Sequence, residues 1–219
     1  MREESERHRE EILRQATRLF AEKGYAGASI RELTENTGLT RPTIYYHFGG
    51  KRGLYLEVLR RCSERFQNML AMCHGFHDQP GQQLRCIIGT EIDSCRKDRH
   101  MVRVLAEAMR SDEPDACQMA AQSLEAIRAA VSRCIEKGVE SGEFVPVDPP
   151  TVSLVIIGAL ASCIAWAEAP AREPTLGIPL SGVMLDLLPD LLVRLVSQRG
   201  EAPAGDVGGR DALGARRNA

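Results

Sequence analysis

Apolar residues recur at helical spacing along most of the chain, whereas strict two-residue alternation is hard to find anywhere. From Glu10 to Lys23, Ile12, Leu13, Ala16, Leu19 and Phe20 fall on one face with charges opposite, and Gly24 follows as a stop. Ser29 opens a capping box with Glu32, whose side chain is placed to reach back to the Ser29 amide. Ile30, Leu33 and Thr37 carry a short helix up to Gly38, a residue suited to the left-handed turn that follows. Thr40 caps a third helix with Pro42 in its first turn, and Ile44 and Phe48 face inward. Gly49 and Gly50 break it, and from Lys51 a longer helix carries the stripe Leu54, Tyr55, Val58, Leu59, Cys62 and Phe66.

Further helices are predicted from Gly81 to Arg96, Arg99 to Met109, Asp115 to Ser141, Pro149 to Ala169 and Ser181 to Gln198. Pro189 predicts a kink in the last, or two short helices in its place. No internal repeat is evident, and the Gly/Ala-rich stretch 200–219 reads as a disordered tail. Aromatic residues make up only 5% and hydrophobic residues 43%, which suits an all-α fold with a sizeable core.

The formal net charge is -2, so any contact with nucleic acid has to be local. Met1 to Gly53 holds ten Lys and Arg against eight Asp and Glu, a net of +2; the remainder holds eighteen against twenty-two, a net of -4. Between Gly38 and Leu56 three basic residues stand with no acidic one. The seven cysteines form an odd set without CxxC, and MREESERHREE has no apolar signal region, which together point to a reducing cytoplasm. The uncharged stretch Thr151 to Ala167 is short for a membrane span and contains Thr151, Ser153, Gly158 and Ser162, so a buried helix is expected.

Two short helices joined by a Gly-containing turn are the geometry that presents a second helix to the DNA major groove. On that second helix Leu39, Ile44 and Phe48 are apolar anchors, while Arg41, Thr43, Tyr45, Tyr46 and His47 offer donors to bases or phosphates. The run SIRELTENTGLTRPTIYYHFGGKRGL resembles the DNA-binding signature of the TetR (tetracycline-repressor-like) family. The likeness covers Glu10 to Leu59, about a quarter of the chain; the rest matches in length and helicity, and Gly49-Gly50 departs from the more usual polar residues.

The resemblance implies an N-terminal three-helix helix-turn-helix domain over 1–53, joined by a connecting helix to a helical-bundle ligand-binding and dimerisation domain over 54–199. It implies that Ser29, Tyr46, His47 and Lys51 touch phosphates and that Arg31, Arg41, Thr43 and Tyr45 lie near base edges. Lys51 also suits a phosphate on physical grounds, because its ammonium stands beside the free N–H groups of a helix start. Expected partners are double-stranded operator DNA, a small-molecule effector and a second copy of the chain, paired through the helices at 149–169 and 181–198. Ser153, Gly158, Ala159, Ala161 and Ser162 in the first of these allow close helix approach.

Candidate ligand-pocket residues, chosen for mixed polarity, are Phe76, Glu91, Met101, Glu107, Met109 and Trp166. Neither a cofactor nor a resident metal is expected. An enzyme is the weaker class, since no Gly-rich phosphate loop, nucleophile elbow, HExxH or paired-Cys motif is present. Two alternatives stand beside the ligand-released repressor. One is a redox or metal sensor using the cysteines or the cluster Cys73, His74 and His77; the other is an effector-free architectural DNA-binding protein.

Overall fold

The computed structural model describes residues 2–168 and 182–197, and the stretch expected to be a tail lies outside them. The first helix, α1 (Arg2–Gly27), starts earlier than its apolar stripe, with Glu3 and Glu4 in the first turn where negative charge complements the helix dipole. Gly24, at φ 67°, interrupts it where the sequence pattern stops. α2 (Ile30–Thr37) and α3 (Arg41–Phe48) follow, then the long α4 (Lys51–Met72), which ends in a 3-10 turn at Cys73–Phe76. Four more helices, α5 (Pro80–Lys97), α6 (Arg99–Ala108), α7 (Pro114–Glu140) and α8 (Pro149–Glu168), precede α9 (Gly182–Val196). α9 runs through Pro189 without dividing into two short helices.

Two apolar cores organise these helices. The first joins the stripes of α1 to α4, including Ile12, Phe20, Leu33, Ile44 and Tyr55, and continues into Val104 and Ala108 of α6 and Ala116 and Ala120 of α7. The DNA-binding head implied by the sequence is therefore closed on its inner side by two later helices. The second core, in the body, gathers α5, α7, α8 and α9 around Leu84, Ile88, Val131, Ile135, Ile156 and Val193. Ion pairs Arg85–Asp190 at 2.5 Å and Arg96–Asp186 at 2.6 Å tie α5 to α9. Arg52 at the start of α4 pairs with Glu113 at 3.0 Å and with Asp115, bridging head and body.

Cysteine spacing gave no pairing, but the fold joins Cys73 to Cys86 in a disulfide with their Cα atoms 5.7 Å apart. Among the described residues Cys62, Cys117 and Cys134 are free thiols. Also among them, no helix is long and apolar enough to cross a membrane, and no three His, Cys, Asp or Glu side chains converge as a metal site.

Candidate nucleic-acid interface and ligand cavity

Each of the two short helices is fixed at both ends by its own residues. The Ser29 hydroxyl accepts the Glu32 N–H at 3.2 Å, and left-handed Gly38 closes α2 by donating its N–H to the Thr34 carbonyl at 2.9 Å. The second half of the expected capping box is not formed: the Glu32 carboxylate is taken instead by the Lys23 ammonium from the end of α1. Thr40 caps α3 by accepting the Thr43 N–H at 3.4 Å, and its hydroxyl lies 2.9 Å from that of Thr43. Gly49, at φ 69°, ends α3.

α3 has two distinct sides. Ile44 and Phe48 sink into the first core, while Tyr45 is 55% exposed and Tyr46 83% exposed. Arg41 stands exposed on the first turn with no acidic partner among the described residues. His47 lies half-buried between the rings of Tyr46 and Phe48, at 5.1 and 5.9 Å. Arg31, on the exposed side of α2, is held by Glu35 at 2.9 Å and has to leave that carboxylate to reach another partner. Lys51 opens α4, donating to the Ala26 carbonyl at 3.3 Å with its ammonium 4.6 Å from the centre of the Tyr25 ring. Partial burial lowers its pKa from the ordinary lysine value.

The break before α4 is tighter than its sequence suggests. A Cβ on Gly53 would sit 1.9 Å from the Phe48 carbonyl oxygen, and one on Gly50 would touch the Tyr45 ring at 3.4 Å. These close approaches set where α3 stands relative to the start of α4.

In the body, a cavity of about 440 Å³ opens between α4, α5, α6, α7 and α8. Phe66, Leu105, Leu124, Ile127, Ile157 and Leu160 supply its apolar wall, a set that the polarity of single positions did not reveal. Of the sequence candidates, Glu91, Glu107 and Met109 line it. Met101 does not: it is buried in the first core, where its sulfur accepts from Arg65 at 3.3 Å. Phe76 stands part-exposed on the 3-10 turn and is not among the lining residues. The side chain of Trp166 lies outside the described residues.

Glu91 is only 7% exposed, and its Oε1 has no hydrogen-bond partner among the described residues. Burial alone pushes its pKa up to about 7. Arg103 and Glu107 on α6, and Arg110 just beyond its end, are the other charged lining residues among those described, with Arg110 donating to Glu107 at 2.8 Å. A larger concavity of about 900 Å³ lies between α1, α4 and α6, and charged residues such as Glu6, Arg7, Glu10, Arg14 and Arg18 are numerous in its lining.

Comparison with known proteins decides the family. Residues 12–58 match the family described as bacterial regulatory proteins of the tetR family, and residues 77–169 match the tetracyclin repressor-like C-terminal domain. The chain belongs to the TetR family. A TetR-family relative, the HTH-type transcriptional repressor AcnR of Corynebacterium glutamicum, is 34% identical over 134 residues, covering 59% of this chain and 67% of that protein. A TetR-family regulatory protein from Rhodococcus RHA1 superposes with a TM-score of 0.72 at 19% identity, over 88% of this chain and 98% of that one. The structure of AibR in complex with isovaleryl coenzyme A and operator DNA superposes with a TM-score of 0.67 at 18% identity, over 87% and 98%. At such identities these two structures speak for the TetR fold alone.

Proposed function

We propose that this protein is a dimeric, sequence-specific transcriptional regulator that leaves a palindromic operator when a small, largely apolar ligand enters the body cavity. The observation that carries the DNA half is the polarity of α3, anchored by Ile44 and Phe48 and exposing Arg41, Tyr45 and Tyr46 on its outer side. In this reading Ser29, Tyr46, His47 and Lys51 contact phosphates, while Arg31, Arg41, Thr43 and Tyr45 lie near base edges. The head spans 1–53 and the effector and dimerisation part 54–199, acting in the cytoplasm. AcnR is named a repressor, which supports repression as the direction.

A dimer is supported by leucines that this chain leaves uncovered. Leu154 and Val155 on α8, and Leu187, Leu191 and Leu195 on α9, are all more than half exposed. Two copies pairing through these faces would present two α3 helices to half-sites about 34–36 Å apart.

α6 supports the coupling between ligand and DNA. Its Val104 and Ala108 belong to the first core, Leu105 touches both that core and the cavity, and Ala106 and the C-cap residue Met109 line the cavity. A ligand that shifts α6 therefore shifts α1, against which α6 packs, and with it the spacing of the recognition helices. Selection of random duplexes by the purified protein, with the mass of the bound complex, tests the reading. An enriched inverted repeat held by a dimer, or by a pair of dimers, is expected; no enrichment at moderate salt would overturn it.

A second reading, redox control, is favoured by the disulfide. Cys73 ends α4 and Cys86 lies on α5, so their pairing fixes the foot of the connecting helix to the body. The Thr90 hydroxyl lies 3.5 and 3.8 Å from the two sulfurs. Oxidised glutathione, itself reduced to two thiols, would take two protons and two electrons from the thiol pair by exchange. Operator affinity that changes with oxidised glutathione in the wild type but not in Cys86→Ser is the expected result, and equal affinity in both states removes this reading.

A further inference from the structure

Among the described residues the cavity holds one deeply buried carboxyl, and its surroundings define what that group lacks. Glu91 is enclosed on α5 with Oε1 unpartnered, beside the apolar side chains of α4, α7 and α8. The facing residues of those three helices are Phe66, Ser123, Leu124, Ile127, Ile157 and Leu160, none of which titrates. Among the described residues, further charge reaches the cavity only from Arg103 and Glu107 on α6 and from Arg110 just beyond its end. Burial is what raises the Glu91 pKa, and neither arginine makes a hydrogen bond or ion pair with its carboxyl. A buried carboxyl without a cation has two remedies: it keeps its proton, or it receives a cation from outside.

We infer that the effector is an apolar amine that carries its protonated nitrogen to Glu91 and its hydrocarbon body along the walls formed by α4, α7 and α8. This rests on the ligand-cavity reading given above and narrows it to a chemical class. The choice of amine over alcohol follows from the size of the gain. An ammonium against a carboxylate makes a charge-assisted hydrogen bond roughly twice as strong as a neutral one, and the apolar walls leave that attraction poorly screened. An alcohol satisfies one oxygen and leaves the proton where it was. A fatty acid would bring a second carboxyl group to the one already lacking a partner. Because Glu91 titrates near neutrality, an arriving ammonium also displaces its proton, about half a proton per site at pH 7.

Calorimetric titration of the full-length protein with n-decylamine, n-decanol and n-decanoate, in buffers of different ionisation enthalpy, tests this. The amine is expected to bind at least ~10-fold more tightly than the alcohol and to release protons. Glu91→Gln, which keeps the shape of the side chain, is expected to lose the proton release and to bind the amine no more tightly than decanol. Equal amine affinity in Glu91→Gln, or tighter binding of decanol or decanoate, overturns the amine. In that case binding that is blocked by Ala106→Trp, which places a large ring at the cavity wall on α6, leaves the cavity reading standing. Binding of none of the three probes overturns the amine too; binding that Ala106→Trp fails to block counts against the cavity itself.

Discussion

The head and the body are both helical and both bury an apolar core, yet the two interiors are finished differently. In the head the rings of Phe20, Tyr25 and Tyr55 pack with centroids 4.7 to 6.4 Å apart, and the core closes on side chains from six helices. Among the described residues, its one enclosed polar atom without a hydrogen-bond partner is the Tyr55 hydroxyl, whose pKa burial pushes up to about 12, so it keeps its proton. The buried polar residues Glu91, Ser94 and Ser153 all belong to the body, as does the cavity. A recognition helix has to stand in one geometry, and dense packing with fixed caps provides that. A ligand site has to exist in more than one state, and a cavity lined by side chains of five helices with a buried carboxyl among them provides that instead.

The contrast breaks most severely where the head has no room at all. Gly53→Ala would drive a methyl group into the Phe48 carbonyl oxygen, a backbone atom with nowhere to move. It is expected to destabilise the head by about 4 kcal/mol or more and abolish operator binding, as seen by denaturant titration and a gel-shift assay. Next comes a matched pair of truncations. Phe20→Ala should cost about 3–5 kcal/mol in the dense core, whereas Leu160→Ala should cost nearer 2, because it already borders a void. Equal losses by calorimetry would erase the difference between the two interiors.

Those head contacts were largely legible in the sequence, since they depend on local signals. The stripe of α1, the caps Ser29 and Thr40, the stops Gly38 and Gly49 and the inward pair Ile44 and Phe48 all act over a few residues, and the fold uses each of them. Much of the body was not legible for the opposite reason. Which face of α6 meets the head and which meets the cavity is decided by helices far along the chain, so Met101 and Met109 could not be told apart by polarity. The Cys73–Cys86 pairing depends on how α5 returns beside the end of α4, and the place of Phe76 away from the cavity wall depends on the same tertiary information. The division of Glu32 between its own helix and Lys23 is likewise set by the packing of α1 beside α2.

The third prediction concerns pH. Burial raises Glu91 from an ordinary value near 4.5 to about 7 in the fold. The native state thus favours the protonated form: its contribution is fully present below about pH 4.5 and is lost as pH rises through 7. Above that the ionised group costs the fold about 3 kcal/mol. Glu91→Gln should therefore match the wild type in acid and gain stability steadily up to neutrality, which unfolding curves across that range will show. A constant difference at every pH would mean that Glu91 does not titrate in the folded body. The smallest effect is expected at the head surface. Lys51→Ala should weaken binding to all duplexes several-fold and lower the slope of log K against log salt by about one, with little change in melting temperature. An unchanged slope would remove Lys51 from the phosphate contacts.

The ion pairs between α5 and α9 extend the comparison beyond one subunit. α5 carries Glu91 toward the cavity, and its Arg85 and Arg96 hold Asp190 and Asp186 of α9, the helix whose leucines remain uncovered. In the proposed dimer, a shift of α5 on filling one cavity is passed to α9 and so to the mate. The two cavities then do not fill as independent sites, and occupancy follows effector concentration with a Hill coefficient different from one. Where that coefficient exceeds one, a gradual rise in a metabolite becomes a sharper change in transcription than either subunit would produce alone.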